Sequence, residues 1–301
     1  MRVRTRPTLT WTPAGPPPPR TTDLSELAEV LGAGGVLALT GAGMSTESGI
    51  PDYRGASGSL RNHTPMTYQE FRGSADARQR YWARSFLGWR TIAAAAPNAG
   101  HVAVADLRAL GYLSGVITQN VDGLHQAADT PGVVDLHGSL DRVICLDCGR
   151  ISAREVLDRR LRAANPGFDA SAGRINPDGD VELAQDTVRE FRVVDCTHCD
   201  NGVLKPDVVF FGENVPPARV ALCRQLVDEA DALLVLGSSL TVMSGLRFVR
   251  RAADAGKPVL IVNQGRTRGD DYARVRVDLP LGQALTELLA RLTGESLSNP
   301  S

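Results

Sequence analysis

The chain has 301 residues, of which 43% are hydrophobic and 22% are charged, with a formal net charge of -1. This composition is typical of a globular protein with one large or two small domains, and it excludes disordered and fibrous classes. The near-zero charge gives no electrostatic sign of a nucleic-acid partner, and no apolar run approaches the roughly 20 residues that span a bilayer. We therefore expect a soluble protein without nucleic-acid or membrane partners.

Residues 1–22 are predicted to form a disordered tail rich in proline and arginine. Residues 1–20 contain four arginines, six prolines and no acidic residue, a composition that resembles an organelle transit peptide. The four consecutive prolines at 16–19 oppose the amphipathic helix that such a peptide needs. The composition therefore predicts a disordered tail on a cytoplasmic protein, and residues 297–301 are expected to form a short C-terminal tail.

Short apolar runs recur along the chain and predict strands that are buried on both faces. They lie at 36–39, 113–118, 208–211, 232–236 and 258–262. Helical patterns lie between them at 24–31, after Thr22 and Asp23 as a cap, at 101–110 and at 246–255. This alternation predicts an α/β fold with a Rossmann-type, doubly wound parallel sheet.

Residues 53–96 and 142–204 interrupt the alternation. The first stretch is rich in aromatic residues and arginine and has a helical pattern, whereas the second contains two Cys-x-x-Cys pairs. We predict that they form a smaller lobe, made of a four-cysteine zinc module and a helical insertion. The catalytic domain is then expected at 23–296, with its Rossmann lobe at about 23–52, 97–141 and 205–293.

Four of the five cysteines form the two pairs, and Cys223 stands alone. Each Cys-x-x-Cys turn can offer two thiolates to one tetrahedral zinc ion, so Cys145, Cys148, Cys196 and Cys199 are the predicted ligands. Two redox dithiols are the alternative, but the flanking glycines favour a metal site. Four cysteines fill the coordination sphere of a zinc ion, so the catalytic chemistry is expected elsewhere in the protein. His198 is then not expected to bind the metal.

The first predicted strand runs into a glycine-rich loop that contains Gly41, Gly43 and Ser45. Such a loop permits close backbone approach to a pyrophosphate, with the following amides opening a helix onto it. The third glycine of a dehydrogenase fingerprint is absent, as is an acidic ribose ligand about twenty residues on. The sequence therefore disfavours hydride transfer.

Other predicted strands also end in polar or glycine-rich residues, at 118–125, 237–239 and 263–265, with a further cluster at 136–138. Ligands of doubly wound sheets lie beyond the carboxyl ends of the strands. His125 and His137 are both candidate general bases, because imidazole titrates near neutrality. The residues alone do not choose between them.

Together these segments resemble sirtuins. The resemblance rests on the loop at 41–54, on 118–122, 136–138 and both cysteine pairs, and on 205–213 and 237–239, and it extends over about residues 23–293. The stretches 81–84, 142–144, 177–180 and 267–271 are similar to the class II branch of that family.

The resemblance implies an NAD-dependent protein-lysine deacylase that transfers the acyl group from lysine to ADP-ribose and releases nicotinamide. Its partners would be acylated lysines of proteins, NAD would be consumed, and one zinc ion would be structural. His137 matches the catalytic base, with Asn120 and Asp122 orienting the ribose and carboxamide, whereas His125 matches a position beside them. The implied NAD-binding residues are Gly41, Ala42, Gly43, Ser45, Thr46, Ile50, Pro51, Asp52, Tyr53, Arg54, Gln119, Asn120, Val121, Asp122, Gly237, Ser238, Ser239, Asn263, Gln264, Gly265 and Leu281.

The resemblance also implies a substrate segment. The acyl-lysine peptide would add as a strand beside Val208, Phe210, Phe211 and Gly212. Tyr81 and Arg84 resemble a pair that selects acidic acyl chains in another sirtuin branch, although a core tyrosine and a solvated arginine explain them equally well. A mono-ADP-ribosyltransferase and a lipoamidase-type deacylase are the alternatives on this scaffold, and a zinc-ribbon nucleic-acid module is disfavoured by the charge.

Overall fold

The computed structural model describes residues 19–54, 65–168, 176–199 and 201–294. The strands are β1 (Val36–Thr40), β2 (Leu113–Thr118), β3 (Val133–Asp135), β4 (Gly138–Cys145), β5 (Ile151–Ala153), β6 (Leu204–Val208), β7 (Ala232–Leu236), β8 (Val259–Val262) and β9 (Val275–Val277). The α-helices are α1 (Ser25–Gly32), α2 (Tyr68–Gly73), α3 (Ala75–Ala94), α4 (Ala99–Ala109), α5 (Leu124–Ala127), α6 (Arg154–Ala164), α7 (Gln185–Glu190), α8 (Pro217–Glu229), α9 (Met243–Asp254) and α10 (Leu281–Thr293). No helix within the described ranges is long and apolar enough to cross a membrane.

A six-stranded sheet in the order β3-β2-β1-β7-β8-β9 forms the larger lobe, and all its pairs are parallel. The predicted Rossmann-type sheet is thus confirmed. The strand order reverses at β1. From β1 the chain continues on one side through β2 and β3, and it later returns to the other side of β1 through β7, β8 and β9. Ligands of such sheets bind at this switch point.

Two helical layers cover this sheet, each over its own core. One core packs α1, α4 and α10 against residues such as Val36 and Ala38, and the other packs α8 and α9 against Leu37 and Leu39. Residues 36–39 of β1 alternate between these cores, and all five residues of the strand are buried. A strand buried on both faces is the structure that its continuous apolar run predicts.

The smaller lobe is built on a three-stranded antiparallel sheet in the order β5-β4-β6. The helices α2, α3, α6 and α7 pack there around a separate core that includes Phe71, Trp82 and Phe191. The predicted strand at 208–211 is wrong in position. Only Val208 lies in a strand, β6 pairs with β4 outside the parallel sheet, and Phe211 forms an isolated bridge to Thr67. The residue boundaries given above for the two lobes stay a prediction.

The helix boundaries reflect local capping. Asn98 begins α4, since its side chain accepts hydrogen bonds from the N–H groups of Gly100 and His101. Asp23 does not cap α1 directly, because Leu24 occupies the cap position, but its carboxylate accepts from the Ser25 N–H at 3.0 Å.

The predicted N-terminal tail is longer than the structure allows. Thr21 pairs in parallel with Val277 at the sheet edge, and its N–H donates to the Arg276 carbonyl at 3.2 Å. Ordered structure therefore begins before residue 23. The rest of that predicted tail, residues 1–18, and the tail at 297–301 lie outside the described residues.

Candidate active site

A single cavity of about 1820 Å³ runs along the switch point of the large sheet and reaches residues of the smaller lobe. Its wall contains His137 and every residue that the sequence predicted for NAD. They are Gly41, Ala42, Gly43, Ser45, Thr46, Ile50, Pro51, Asp52, Tyr53, Arg54, Gln119, Asn120, Val121, Asp122, Gly237, Ser238, Ser239, Asn263, Gln264, Gly265 and Leu281. This volume exceeds that of a usual small-ligand pocket, roughly 300–1,000 Å³, and leaves room for a dinucleotide and a peptide side chain.

The glycine loop forms one wall by backbone contact with the loop after β7. A Cβ at Gly41 would lie 2.7 Å from the Ser238 Cβ, and a Cβ at Gly43 would lie 2.9 Å from the Gly237 Cα. The Gly43 N–H donates to the Gly237 carbonyl at 2.9 Å. A 3-10 helix, Ala42–Ser48, follows, so a helical N-terminus faces the cavity where the sequence placed a pyrophosphate.

Asn120, Asp122 and Ser45 form a connected hydrogen-bond network at the end of β2. The Ser45 hydroxyl donates to Asp122 Oδ2 at 2.7 Å, and the Asn120 amide donates to Ser45 Oγ and to the Gly41 carbonyl, both at 3.0 Å. Burial raises the pKa of the Asp122 carboxyl, although the hydrogen bonds to it oppose that rise. The network fixes the Asn120 and Asp122 side chains in one arrangement beside the glycine loop.

The adenosine side of the predicted site joins the ends of β7 and β8. Gln119 donates to Ser238 Oγ at 2.8 Å and so ties β2 to β7. The Asn263 amide donates to the carbonyls of Gln264 and Gly265, at 2.9 and 3.1 Å. These side chains brace the turns that would face a nucleotide.

His137 lies between β3 and β4 in the cavity wall. Its Nδ1 is 2.9 Å from the Gln119 carbonyl oxygen, which can only accept, so Nδ1 carries the proton. Nε2 is therefore the basic nitrogen, and it lies 2.8 Å from the Ser244 hydroxyl. Burial lowers the pKa of His137 to about 4, and the charges of Arg219 and Arg247 act in the same direction. The imidazole is thus neutral at physiological pH, as a general base must be.

His125, the other candidate base, lies behind the cavity wall. It is 2% exposed, and its Nε2 is 3.0 Å from the Thr40 hydroxyl. Its ring packs against His101 at a centroid distance of 4.9 Å. The structure thus places only His137 of the two in contact with the cavity.

The predicted substrate segment, with Val208, Phe210, Phe211 and Gly212, also lines the cavity. The Val209 N–H donates to the His137 carbonyl at 2.7 Å, which joins this segment to the candidate base. Lys205, 2% exposed, donates to the Val208 carbonyl at 2.5 Å and lies 3.0 Å from Glu213 Oε2. The same carboxylate oxygen accepts from the Phe210 N–H at 2.8 Å. The Lys205–Glu213 ion pair thus binds the backbone of this segment at Val208 and at Phe210.

Tyr81 and Arg84 do not face the cavity together. Tyr81 lines it, but Arg84 is absent from the lining and forms an ion pair with Asp180 at 3.1 Å. The Arg84 Nε also donates to the Val181 carbonyl at 2.6 Å. The role of Arg84 as a substrate residue stays a prediction, and in this structure its guanidinium pairs with Asp180 of a neighbouring loop.

The four paired cysteines converge outside the cavity. The Sγ atoms of Cys145, Cys148, Cys196 and Cys199 all lie within 4.8 Å of one another. Cys145 and Cys199 are 3.6 Å apart, and Cys148 and Cys196 are 4.0 Å apart. A zinc ion about 2.3 Å from each thiolate separates tetrahedral sulfurs by about 3.8 Å, so the cluster fits zinc. Gly202 lies against it, where a Cβ would be 2.6 Å from Cys199 Sγ.

Sequence reasoning missed several cavity residues. Ser244 and Arg247 reach it from α9, whose start lies three residues before the predicted 246, and Asp178 reaches it from the smaller lobe. No local pattern marks them, because each comes to the cavity through tertiary contacts. The polar run at 237–239 was a signal that the chain just beyond β7 belongs to the site.

A family model described as the Sir2 family matches residues 41–244. A relative named NAD-dependent protein deacetylase 1, from Streptomyces coelicolor, is 66% identical over 290 residues, covering 96% of this chain and 97% of that protein. Another, named NAD-dependent protein lipoamidase sirtuin-4, mitochondrial, from Bos taurus, is 46% identical over 253 residues, covering 83% of this chain and 80% of that protein.

A solved structure described as "Sir2-p53 peptide-NAD+" superposes with a TM-score of 0.70 at 28% identity. It covers 90% of this chain and 99% of that one. The family match spans more than half of the chain and includes the glycine loop, the candidate base and all four clustered cysteines. The chain belongs to the Sir2 family.

Proposed function

We propose that this chain is an NAD-dependent protein-lysine deacetylase, which transfers the acyl group from lysine to ADP-ribose and releases nicotinamide. The observation that carries the proposal is the geometry of His137. A backbone carbonyl holds its proton on Nδ1, which leaves a neutral, basic Nε2 in the wall of a dinucleotide-sized cavity. General-base catalysis needs a group with this protonation state and this exposure to the reactants.

The other cavity residues have roles that follow from their contacts. The glycine loop and the network of Asn120, Asp122 and Ser45 would bind and orient the nicotinamide ribose of NAD. Ser238, Asn263 and Leu281 would hold the adenosine half. Bound NAD would supply the ribose carbon that accepts the acyl oxygen, and His137 would accept a proton from a ribose hydroxyl.

The names of the relatives support the same assignment. The Streptomyces coelicolor relative is named a deacetylase at 66% identity, and the solved structure pairs NAD with a peptide. A lipoamidase-type deacylase is the second candidate, because the Bos taurus relative of 46% identity carries that name. Both activities would use the same base and the same dinucleotide site.

The test is incubation of the protein with NAD and an acetyl-lysine peptide, with nicotinamide and free lysine measured together. Equal release of nicotinamide and deacetylated peptide is the expected result. The kcat/KM for a lipoyl-lysine peptide is measured in parallel and compared with that for the acetyl-lysine peptide, which tests the second candidate. Transfer of labelled ADP-ribose onto protein without deacylation would refute the proposal and support a mono-ADP-ribosyltransferase.

We also propose that the cysteine cluster holds one structural zinc ion and that the protein is cytoplasmic. The near-tetrahedral spacing of the thiols supports the zinc site. All five cysteines are free of disulfide bonds, which is usual in a reducing compartment and supports the location.

A further inference from the structure

A second groove lies beside the candidate active site, in the helical layer of the larger lobe. Its volume is about 590 Å³, and it is formed by residues of α8 and α9. All its charged lining residues come from these two helices: Arg224 and Asp228 from α8, and Arg247, Arg250, Arg251 and Asp254 from α9. The four α9 positions recur at intervals that keep them on one face of the helix. We call this cavity the arginine groove, since its arginines outnumber its acidic residues by four to two.

The arginine groove adjoins the candidate active site. Met243 and Arg247, near the start of α9, line both cavities, and Met243 is 41% exposed. An α-helix rises about 1.5 Å per residue, so Arg251 lies about 12 Å beyond Met243 along α9. An extended peptide advances about 3.3 Å per residue. A chain that leaves the active-site cavity over Met243 would therefore reach Arg251 within about four residues.

Three of the four guanidinium groups in the groove are available to a ligand. Arg251 is the exception, because its Nε and Nη2 donate to the two carboxylate oxygens of Asp228 at 2.5 and 2.6 Å. Arg224 and Arg250 are exposed, and neither forms an ion pair with any residue in the described ranges. Arg247 also forms none there, and only its Nε is engaged, donating to the Met243 carbonyl at 3.2 Å. The groove thus presents an uncompensated positive charge next to the active site.

We infer that the arginine groove binds an acidic segment of the substrate protein, a few residues from the acyl-lysine. The inference rests on the proposed deacylase function, since it concerns the protein that carries the acyl group. Carboxylate side chains complement the groove, because guanidinium groups bind them with two parallel hydrogen bonds. A nucleic acid fits less well, since the formal net charge of the chain is -1 and the groove is short.

The first experiment compares two forms of one acetyl-lysine peptide, with the wild-type protein and NAD. One form carries glutamates at about the second to fifth positions from the acetyl-lysine, and the other carries glutamines there. The pair is made twice, with the run on either side of the lysine. In one of the two pairs we expect the glutamate form to have a KM lower by about 3- to 10-fold, the combined effect of a few exposed ion pairs. The kcat should stay equal, because the groove does not contact the reacting atoms.

The second experiment removes charge from the groove. The double variant Arg224→Gln, Arg250→Gln should lose the preference for glutamates and keep wild-type turnover of the glutamine form, since neither residue lines the active-site cavity. The matched control is Arg274→Gln, Arg291→Gln, which removes two guanidinium groups of the larger lobe outside both cavities, with side chains that are 51% and 39% exposed. That variant has the same net charge and should keep the preference. Raising the salt concentration from about 0.05 M to about 0.5 M should weaken the preference in the wild type.

Four outcomes contradict the inference. They are equal KM values in both peptide pairs, a preference for glutamines, a preference that survives in the groove variant, and a preference lost equally in the control variant. Binding of a single-stranded DNA oligonucleotide that is lost in the groove variant, without any preference between the peptides, would assign the groove to nucleic acid instead. Absence of turnover with every peptide would refute the proposed function itself, whereas deacetylation without selection for acidic residues would refute only this inference.

Discussion

Among single residues, His137 shows how its surroundings keep an imidazole neutral and able to accept a proton. The Gln119 carbonyl holds the proton on Nδ1, and burial makes the charged form unfavourable. His125 has an environment that also lowers its pKa, to about 3, but its Nε2 contacts Thr40 behind the wall. Access to the cavity, and not the pKa, separates the two histidines.

Replacement of the base should stop the chemistry and spare NAD binding. We expect His137→Ala to lower kcat for deacetylation by about 10²–10⁴-fold, because general-base help has that typical size. NAD affinity, measured by calorimetry, should stay close to wild type, since many other groups line the cavity. His198→Ala, at an exposed imidazole outside the cavity, is the control. Near-wild-type turnover of His137→Ala would exclude His137 as the base.

The pH profile of kcat/KM should show an acid limb far below the ordinary histidine range. The reaction needs neutral His137, so protonation inactivates the enzyme as pH falls through the pKa of the folded state. Because burial lowers that pKa to about 4, activity should persist from pH 7.5 to about pH 5.5. The profile of kcat/KM reports the free enzyme, and circular dichroism at each pH verifies the fold. An acid limb centred near pH 6.5 would contradict this environment.

At the scale of elements, the segment after β6 links the base to the proposed peptide site. The sequence predicted a strand at 208–211 because Val, Val, Phe and Phe form a continuous apolar run. In the structure Lys205 and Glu213 bind this backbone at Val208 and at Phe210, and Phe211 bridges to Thr67. Such a run identifies burial, but it does not specify which sheet or side chain buries it.

The Lys205–Glu213 pair should position the peptide-binding segment. We expect Glu213→Gln to lower the free energy of unfolding by about 1–3 kcal/mol, because Lys205 is left as a buried charge without its partner. The KM for the acyl peptide should rise more than kcat falls, as the base itself is unchanged. Urea unfolding and steady-state kinetics measure these effects.

Glu155→Gln is the control for this change, since the Glu155–Arg159 pair has side chains that are 72% and 64% exposed. That variant should match the wild type, because exposed pairs contribute little. Unaltered stability together with unaltered KM in Glu213→Gln would show that the ion pair does not position the segment.

Short elements at the sheet edges were not predicted. The strands β3 and β9 have three residues each, too few for a pattern of period two to stand out. Their position depends on pairing with β2 and β8. By contrast, β1 and β7 are long, apolar and buried throughout, so both were predicted to within a residue.

For the molecule as a whole, the cysteine cluster lies in the smaller lobe, outside the cavity. Cys145 is 1% exposed and belongs to the core of that lobe. We expect Cys145→Ser to lose zinc and to unfold at a lower temperature, because metal binding contributes directly to folding free energy. Elemental analysis and thermal unfolding measure the two effects.

The matched control is Cys223→Ala, which removes a buried thiol of the larger lobe outside the cluster. That variant should retain one zinc ion per chain, although it can lose some core packing. A zinc-free Cys145→Ser protein with wild-type stability and activity would contradict a structural role for the site.

The features that depend on local spacing could be predicted from the amino-acid sequence alone. Two Cys-x-x-Cys turns specify four ligands, continuous apolar runs specify the parallel strands, and glycines after β1 specify a close backbone approach. Polar residues at the strand ends identified the cavity wall, because the carboxyl ends of parallel strands share one edge of the sheet.

The features that depend on contacts between distant segments became visible only in the folded structure. The fold places His137, and not His125, in the cavity wall. It also pairs Arg84 with Asp180, a residue almost a hundred positions later in the chain. A helix pattern shows that Tyr81 and Arg84 share a face, but it does not reveal which anion the fold places beside the guanidinium. For that reason the partner of Arg84 could be found only from the packing between segments, whereas the four clustered cysteines could be predicted from their spacing in the sequence.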